Sequence, residues 1–444
     1  MSQVSQQEFA RRLRALRAAK GLTQRQLAGD ELSVSYVSLL EAGRRTPTPE
    51  TVRVLAASLG CSPAELLGEK DSPVARPAAL NTRFGQLALE VGRFDEAQEY
   101  FEAALATPDL DPLLRAEIMV GLARVREGQG RLREAAQAYE NLVQEAIDSP
   151  QYLASLGVVI SWCRCLYELG DLNRVIEVGT GAMRELDRLQ AWQSDTAIQL
   201  LATVAAAHFE LGEIQQSERL LREGLRRAEQ MRSPAARAAV LWNASHVASE
   251  EGRHGEALEL AEEALTYFRS SGDRRAVARL LSQYGYLLLR QDPPRVEDAT
   301  GTLEEGLAIL KEVGYGYERG YILTELSRAH LMRGDAATAR DLAERSLAEL
   351  GPEAALERAR AQTALAAALA ALGEKEQATE IFDQAAQTLS KLRASRQAAR
   401  AWVELGNTLD EAGDSAGAVR AFRQATASVN LNVAPVAAPA TREL

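Results

Sequence analysis

The 444-residue sequence is poor in the residues that build catalytic and metal centres. It has three cysteines and four histidines, and nowhere do they form an H-x-x-x-H, a C-x-x-C or a phosphate-loop pattern. No metal or cofactor is expected. With no nucleophile–base pair in view, an enzyme is the weakest reading. Three cysteines cannot all pair, and Cys163 and Cys165 point to different sides of a helix. With Cys61 they read as reduced core or boundary thiols, which suits a cytoplasmic protein. No run of about 18 apolar residues is present to cross a membrane, and the start, "MSQVSQQEFARRLRALR", lacks the apolar stretch of a secretion signal. Positive charge is also short: 51 Lys and Arg face 62 Asp and Glu, for a net charge of -11 and a pI near 5.2. The shortage is uneven. Residues 1–67 hold nine basic and six acidic side chains, so the acidic excess lies wholly in the remainder. A basic head on an acidic body confines nucleic-acid contact to the head.

Five helices are predicted in that head. Phe9, Leu13 and Leu16 line one face of the first, and Gly21 ends it. Thr23-x-x-Gln26 is a capping box that opens a second short helix carrying Leu27 and Ala28. Ser33 caps a third, with Val37 and Leu40 inward, and Gly43 stops it. Thr48-Pro49 pairs a cap with a proline at the first helical position, ahead of the inner face Val52, Leu55, Ala56 and Leu59. Ser62-Pro63-Ala64-Glu65 repeats those signals for a fifth helix.

"LTQRQLA", "SYVSLLEAGRRTPTPETVRVLAASLG" and "SPAELL" together resemble the Cro/CI-like (XRE) helix-turn-helix family over residues 6–67. The resemblance implies a third helix in the major groove and a second crossing the backbone. Carried over, Gln24 is a phosphate or base-edge contact, with Arg25 beside it. Val34, Ser35 and Leu39 fall at base-reading positions, flanked by Ser33, Tyr36 and Ser38, and Arg44 and Arg45 reach phosphate. Two features depart from the family pattern. The turn "GDELSV" is one residue short and sets Asp30 and Glu31 near a polyanion. The reading set also has no Arg, Asn or Gln for bidentate base pairing.

The body, residues 80–428, is a repeat. Gly92, Gly130, Gly170, Gly212, Gly252, Gly334, Gly373 and Gly413 each precede a small or apolar residue by five: Ala97, Ala135, Val175, Ser217, Ala257, Ala339, Ala378 and Ala418. Seven residues before each glycine stands Gly85, Ala123, Cys163, Ala205, Ser245, Ser327, Ala366 or Gly406. A ninth copy, with a longer turn at "DPPRVEDA", supplies Gly285 and Ala299. Each copy is two antiparallel helices crossing closely at the small residues, and stacking buries what one pair cannot. His208 and His330, four before their glycines, are read as packed residues rather than ligands. Residues 68–79 read as a linker and 429–444 as a mobile tail.

The pattern is similar to tetratricopeptide (TPR) repeats, so the expected fold is all-α: a five-helix head (residues 1–67) followed by a solenoid of about nine helix pairs. The resemblance implies that first helices line the inside of the superhelix. The residues so placed are Arg124, Arg164, Tyr167, Phe209, Trp242, His246, Tyr286, Tyr321 and Arg328, with Gln199, Ser282, Thr324, Arg360 and Asn407 among them. Aromatics with interspersed arginines suit an extended peptide. As a whole the chain resembles bacterial regulators with an XRE head and a TPR body, including the RRNPP-type peptide-sensing quorum regulators. That implies a homodimer that binds a double-stranded DNA operator under control of a signalling peptide or protein segment. The alternative is a DNA-tethered adaptor that docks a protein partner without a small effector.

Overall fold

The structure, a computed structural model, describes residues 3–29, 31–68, 76–108, 110–146, 156–271, 274–313 and 316–429. Among these residues there are 23 helices and no strand. The first five are α1 (Gln3–Ala19), α2 (Gln24–Ala28), α3 (Val34–Glu41), α4 (Pro49–Leu59) and α5 (Pro63–Leu67). Their starts follow the expected caps. Thr23 and Gln26 close a reciprocal box, and Ser33 and Thr48 accept from Tyr36 and Thr51. Phe9, Leu13, Leu27, Val37, Leu40, Val52, Leu55 and Leu59 form the head's core.

The remaining 18 helices are nine antiparallel pairs. They are α6 (Arg76–Glu90) with α7 (Phe94–Leu105), α8 (Pro112–Gly128) with α9 (Leu132–Ala146), and α10 (Leu156–Glu168) with α11 (Leu172–Leu189). Next come α12 (Asp195–Glu210) with α13 (Ile214–Met231), α14 (Pro234–Glu250) with α15 (His254–Ser271), and α16 (Arg274–Leu289) with α17 (Val296–Val313). The last three are α18 (Gly316–Met332) with α19 (Ala336–Glu349), α20 (Ala355–Ala371) with α21 (Lys375–Ser390), and α22 (Arg396–Glu411) with α23 (Ser415–Ser428). Gly212 shows how the pairs turn. Its φ of 83° is left-handed, its N–H reaches the Phe209 carbonyl at 2.9 Å, and the Glu213 N–H reaches His208 at 2.9 Å. This double closure satisfies the last carbonyls of the first helix and needs a residue without a side chain.

The two small positions of every copy are buried. A Cβ on Gly85 would lie 2.8 Å from the Phe101 ring, one on Gly285 2.5 Å from Leu303, and one on Gly406 2.5 Å from Phe422. The small residue is thus a socket for a bulky one on the second helix. His208 and His330 depart from simple core packing. Each is mostly buried and pairs with the acid five residues on, Glu213 or Asp335.

Head and body share a core. Phe84 and Leu87 of α6 pack with the head's Leu55, Leu59 and Leu66. Arg53 of α4 lies over Phe84 at 4.7 Å and over Tyr100 of α7 at 5.5 Å, and donates to the Tyr100 hydroxyl. The expected linker is therefore shorter than read from sequence: α6 begins at Arg76, and residues 69–75 lie outside the described residues. So do Asp30 and the tail from residue 430 on.

Phe101→Ala empties the socket between Gly85 and Gly121 and is expected to cost about 3–5 kcal/mol. Because repeats couple mainly to neighbours, hydrogen exchange should quicken in α6–α8 and stay unchanged in α20–α23. Uniform quickening along the chain would show that the body unfolds as one unit.

Candidate nucleic-acid interface and interior cavity

On α3, Val34, Ser35, Ser38 and Leu39 face outward, and the first and last of these are 43% and 37% exposed. Two exposed apolar side chains on a capped helix of a small domain suit contact with thymine methyl groups. Ser33 is spent on the cap, its hydroxyl accepting from the Tyr36 N–H at 3.1 Å. Tyr36 is half-buried with Arg45 over its ring at 5.6 Å, while Arg25, Arg44 and Arg45 are exposed.

Gln24, half-buried at the start of α2, is bonded within the head. Its amide donates to Glu41 at 2.8 Å. Glu41, 3% exposed, also accepts from Arg17 at 2.5 and 3.0 Å, and Arg17 donates to the Leu22 carbonyl at 2.8 Å. One carboxylate thus ties α1, the start of α2 and the end of α3. The sequence held a sign of this: Glu41 follows Val37 by four and so falls on the inner face of α3. Burial pushes the Glu41 carboxyl up, but hydrogen bonds from Arg17 and Gln24 outweigh it and hold the group below the ordinary carboxylate range.

The body winds until its early repeats, from the second pair on, meet late ones across the interior. Glu127 (α8) accepts from Tyr139 and Arg164 at 2.9 Å and faces Arg275 (α16) at 3.7 Å. Arg275 in turn holds Glu318 (α18) at 3.0 Å. Tyr321 (α18) donates to Glu168 (α10) at 2.7 Å. Gln397 (α22) donates to the Tyr167 hydroxyl (α10) at 2.7 Å, and Arg400 (α22) holds Glu210 (α12) at 3.1 Å. Glu404 (α22) meets Arg328 at 2.5 Å, Arg360 at 3.6 Å and Arg290 at 3.8 Å. Apart from Tyr139 on α9 and Arg290 just past the end of α16, all of these belong to first helices. Burial pushes Glu127 and Glu404 up, yet their arginines hold both below the usual range.

These contacts enclose a cavity of about 370 Å³, within the usual size of a small-ligand site. Its wall includes Arg164, Tyr167, Phe209, Trp242, His246, Tyr286 and Tyr321, together with Gln199, Ser282 and Arg360. Arg124 is exposed and lies outside the cavity wall. Arg328 also lies outside it, engaged with Glu325 and Glu404. Thr324 is buried against Ser346 at 2.9 Å, and Asn407 is exposed.

The helix-turn-helix domain family matches residues 8–67, and the tetratricopeptide repeat family matches residues 82–150, 321–345, 359–384 and 399–428. The uncharacterized HTH-type transcriptional regulator y4dJ of Sinorhizobium fredii is 47% identical over 57 residues, 13% of this chain and 74% of that protein. The chain belongs to the helix-turn-helix transcriptional regulators. Two solved structures match the regulator over most of its length. A Rap protein complexed with competence and sporulation factor has a TM-score of 0.53 at 14% identity, covering 80% of this chain and 98% of that one. The APC/C hetero-tetramer Cut9–Hcn1 has a TM-score of 0.50 at 12% identity, covering 90% and 85%. At such identities these likenesses speak for the regulator's fold alone. Among the described residues, no helix of the regulator is long and apolar enough to cross a membrane.

The regulator's cavity is richer in acid than its sequence suggested, with Glu168, Glu210, Glu318, Glu325 and Glu357 in the wall. Glu168 and Glu210 take their partners, Tyr321 and Arg400, from helices eight and ten further along the chain, which no local spacing reveals.

Glu41 generates a pH prediction. Its folded pKa lies below the unfolded value of about 4.3, so its stabilisation is present above that value and lost as pH falls through the folded pKa. Exchange protection in α1–α3 should be flat above about pH 5 and fall in acid. Glu41→Ala strands Arg17 and should cost about 3 kcal/mol at neutral pH. An acid profile identical in wild type and Glu41→Ala would remove Glu41 from this role.

Proposed function

We propose that the chain is an effector-gated transcriptional regulator: the head binds an operator, and a peptide or other small effector binds in the body's interior and alters how the heads are presented. The observation that carries this reading is the continuity from cavity to head. Ion pairs between early and late repeats, Glu127 with Arg275 and Glu210 with Arg400, hold the body together around the cavity, and the first repeat packs on the head through Arg53, Phe84 and Tyr100. A ligand that shifts the early repeats against the late ones must rotate the head with α6. The Rap protein of similar fold is a complex with competence and sporulation factor, which is an analogy for an interior ligand. A single head offers few base contacts, so specific binding requires a homodimer, with half-sites about 34 Å apart or a multiple of that.

Arg44→Ala with Arg45→Ala should weaken binding to every DNA sequence and lower the salt dependence by about one phosphate contact per residue. Substitution of Val34, Ser35 or Leu39 should instead change which sequence is preferred. Gel shifts at fixed salt read both, and unchanged affinity in both sets means that the head does not read DNA. Light scattering tests the dimer, which a strict monomer with and without operator would exclude.

Gating is measured by titrating fractionated cell-extract peptides against operator affinity. A true effector should shift that affinity by about 5–150-fold, and operator should shift effector binding by the same factor. Trp242→Ala with Tyr286→Ala should abolish the shift. If no fraction acts and a stable protein partner is recovered on the body, the adaptor reading replaces this one.

A further inference from the structure

The cavity wall carries an unbalanced charge. It presents five glutamates and the four arginines Arg164, Arg279, Arg360 and Arg400. His246 adds no positive charge, since burial and the nearby Arg400 push its pKa down. Four of the five glutamates have arginine partners: Glu210 with Arg400 at 3.1 Å, Glu318 with Arg275 at 3.0 Å, Glu325 with Arg360 at 3.5 Å, and Glu357 with Arg360 at 3.3 Å. The acids just behind the wall, Glu127, Glu250 and Glu404, are likewise paired. Glu168 makes no ion pair among the described residues. It accepts the Tyr321 hydroxyl at 2.7 Å, and burial, with Glu357 and Glu318 nearby, raises its carboxyl above the usual range against the pull of that hydrogen bond and of the nearby Arg279.

A second observation lies on the same wall. Glu325 is 5% exposed, and its Oε2 has no hydrogen-bond partner. Tyr321 and Glu325 are four apart on α18 and share a face, and both stand in the cavity wall with Glu168. Buried carboxylate oxygens without donors are costly, and a ligand that supplies N–H donors with positive charge meets both needs. Arginines already lie over neighbouring rings, Arg279 over Trp242 at 4.8 Å and Arg290 over Tyr286 at 3.6 Å. The aromatic wall therefore tolerates cations.

We infer that the cavity takes a small amphipathic cation, with its amine or guanidinium on Glu168, in the wall that also carries the unmet Glu325 oxygen, and its apolar part against Trp242 and Phe209. This rests on the reading of the cavity as the effector site. The full chain is titrated by calorimetry with acetyl-Phe-Arg-amide and with its neutral isostere, acetyl-Phe-citrulline-amide. The arginine probe should bind tighter by about tenfold or more, as expected for hydrogen bonds to a charged group. In Glu168→Gln, which keeps the shape and a hydrogen-bond acceptor for Tyr321, the preference should fall to about twofold or less. Glu168→Asp should retain a preference, and unchanged thermal melting of both variants excludes misfolding. Equal affinities in wild type, a preference that survives Glu168→Gln, or no binding of either probe at millimolar concentration would overturn the inference. Arginine preference without any effect of probes or extract on operator affinity keeps the cation site and removes the gating. An extract fraction that gates DNA binding in a protein blind to the probes' charge does the reverse.

Discussion

The first helices of the body carry ionised side chains on the side that the superhelix turns inward, and a charge taken out of water must be paired or expelled. Glu127, Glu210 and Glu404 are each buried or half-buried and each faces arginines from other repeats. That pairing reaches from α8–α12 across to α16–α22, and it draws a solenoid that could stand open into a closed coil around a small cavity. Apolar packing between neighbouring pairs sets the local rise and turn. The ion pairs decide where the coil stops.

A buried pair contributes little net stability compared with apolar packing, yet breaking one is expensive. Such contacts suit a structure with two arrangements. They hold one arrangement specifically, and a ligand that offers equivalent partners can exchange for them without a large penalty. Tyr167 with Gln397 and Glu168 with Tyr321 are the lighter members of the set, neutral or with one charge, and both border the cavity. They are where an incoming polar group competes on the most even terms.

The head is joined to the first repeat by packed contacts. Arg53 is held by two rings, and Leu55, Leu59 and Leu66 share a core with Phe84 and Leu87. Within the head, Glu41 plays the part that Glu127 plays in the body, one buried carboxylate gathering donors from two other helices. Gln24, a DNA contact by resemblance, is drawn inward by it.

Much of this was legible in the amino-acid order. The caps at Thr23, Ser33 and Thr48, the repeating glycines and the small residues on either side of them act over at most a few turns of helix. A reader of the sequence could therefore place five helices and nine pairs, and could put Trp242 and Tyr286 on the inner face. The start of α6 at Arg76 was missed because its packing partners sit in the head. The roles of Arg328, Gln24 and the cavity glutamates were hidden for a related reason: a carboxylate's state depends on which arginine stands opposite, and for Glu318 or Glu210 that arginine lies 43 or 190 residues along the chain. Local spacing determines helices and their sockets. Only the closure of the coil, which brings distant charges within a few ångströms, decides which of them are spent on one another and leaves Glu168 over.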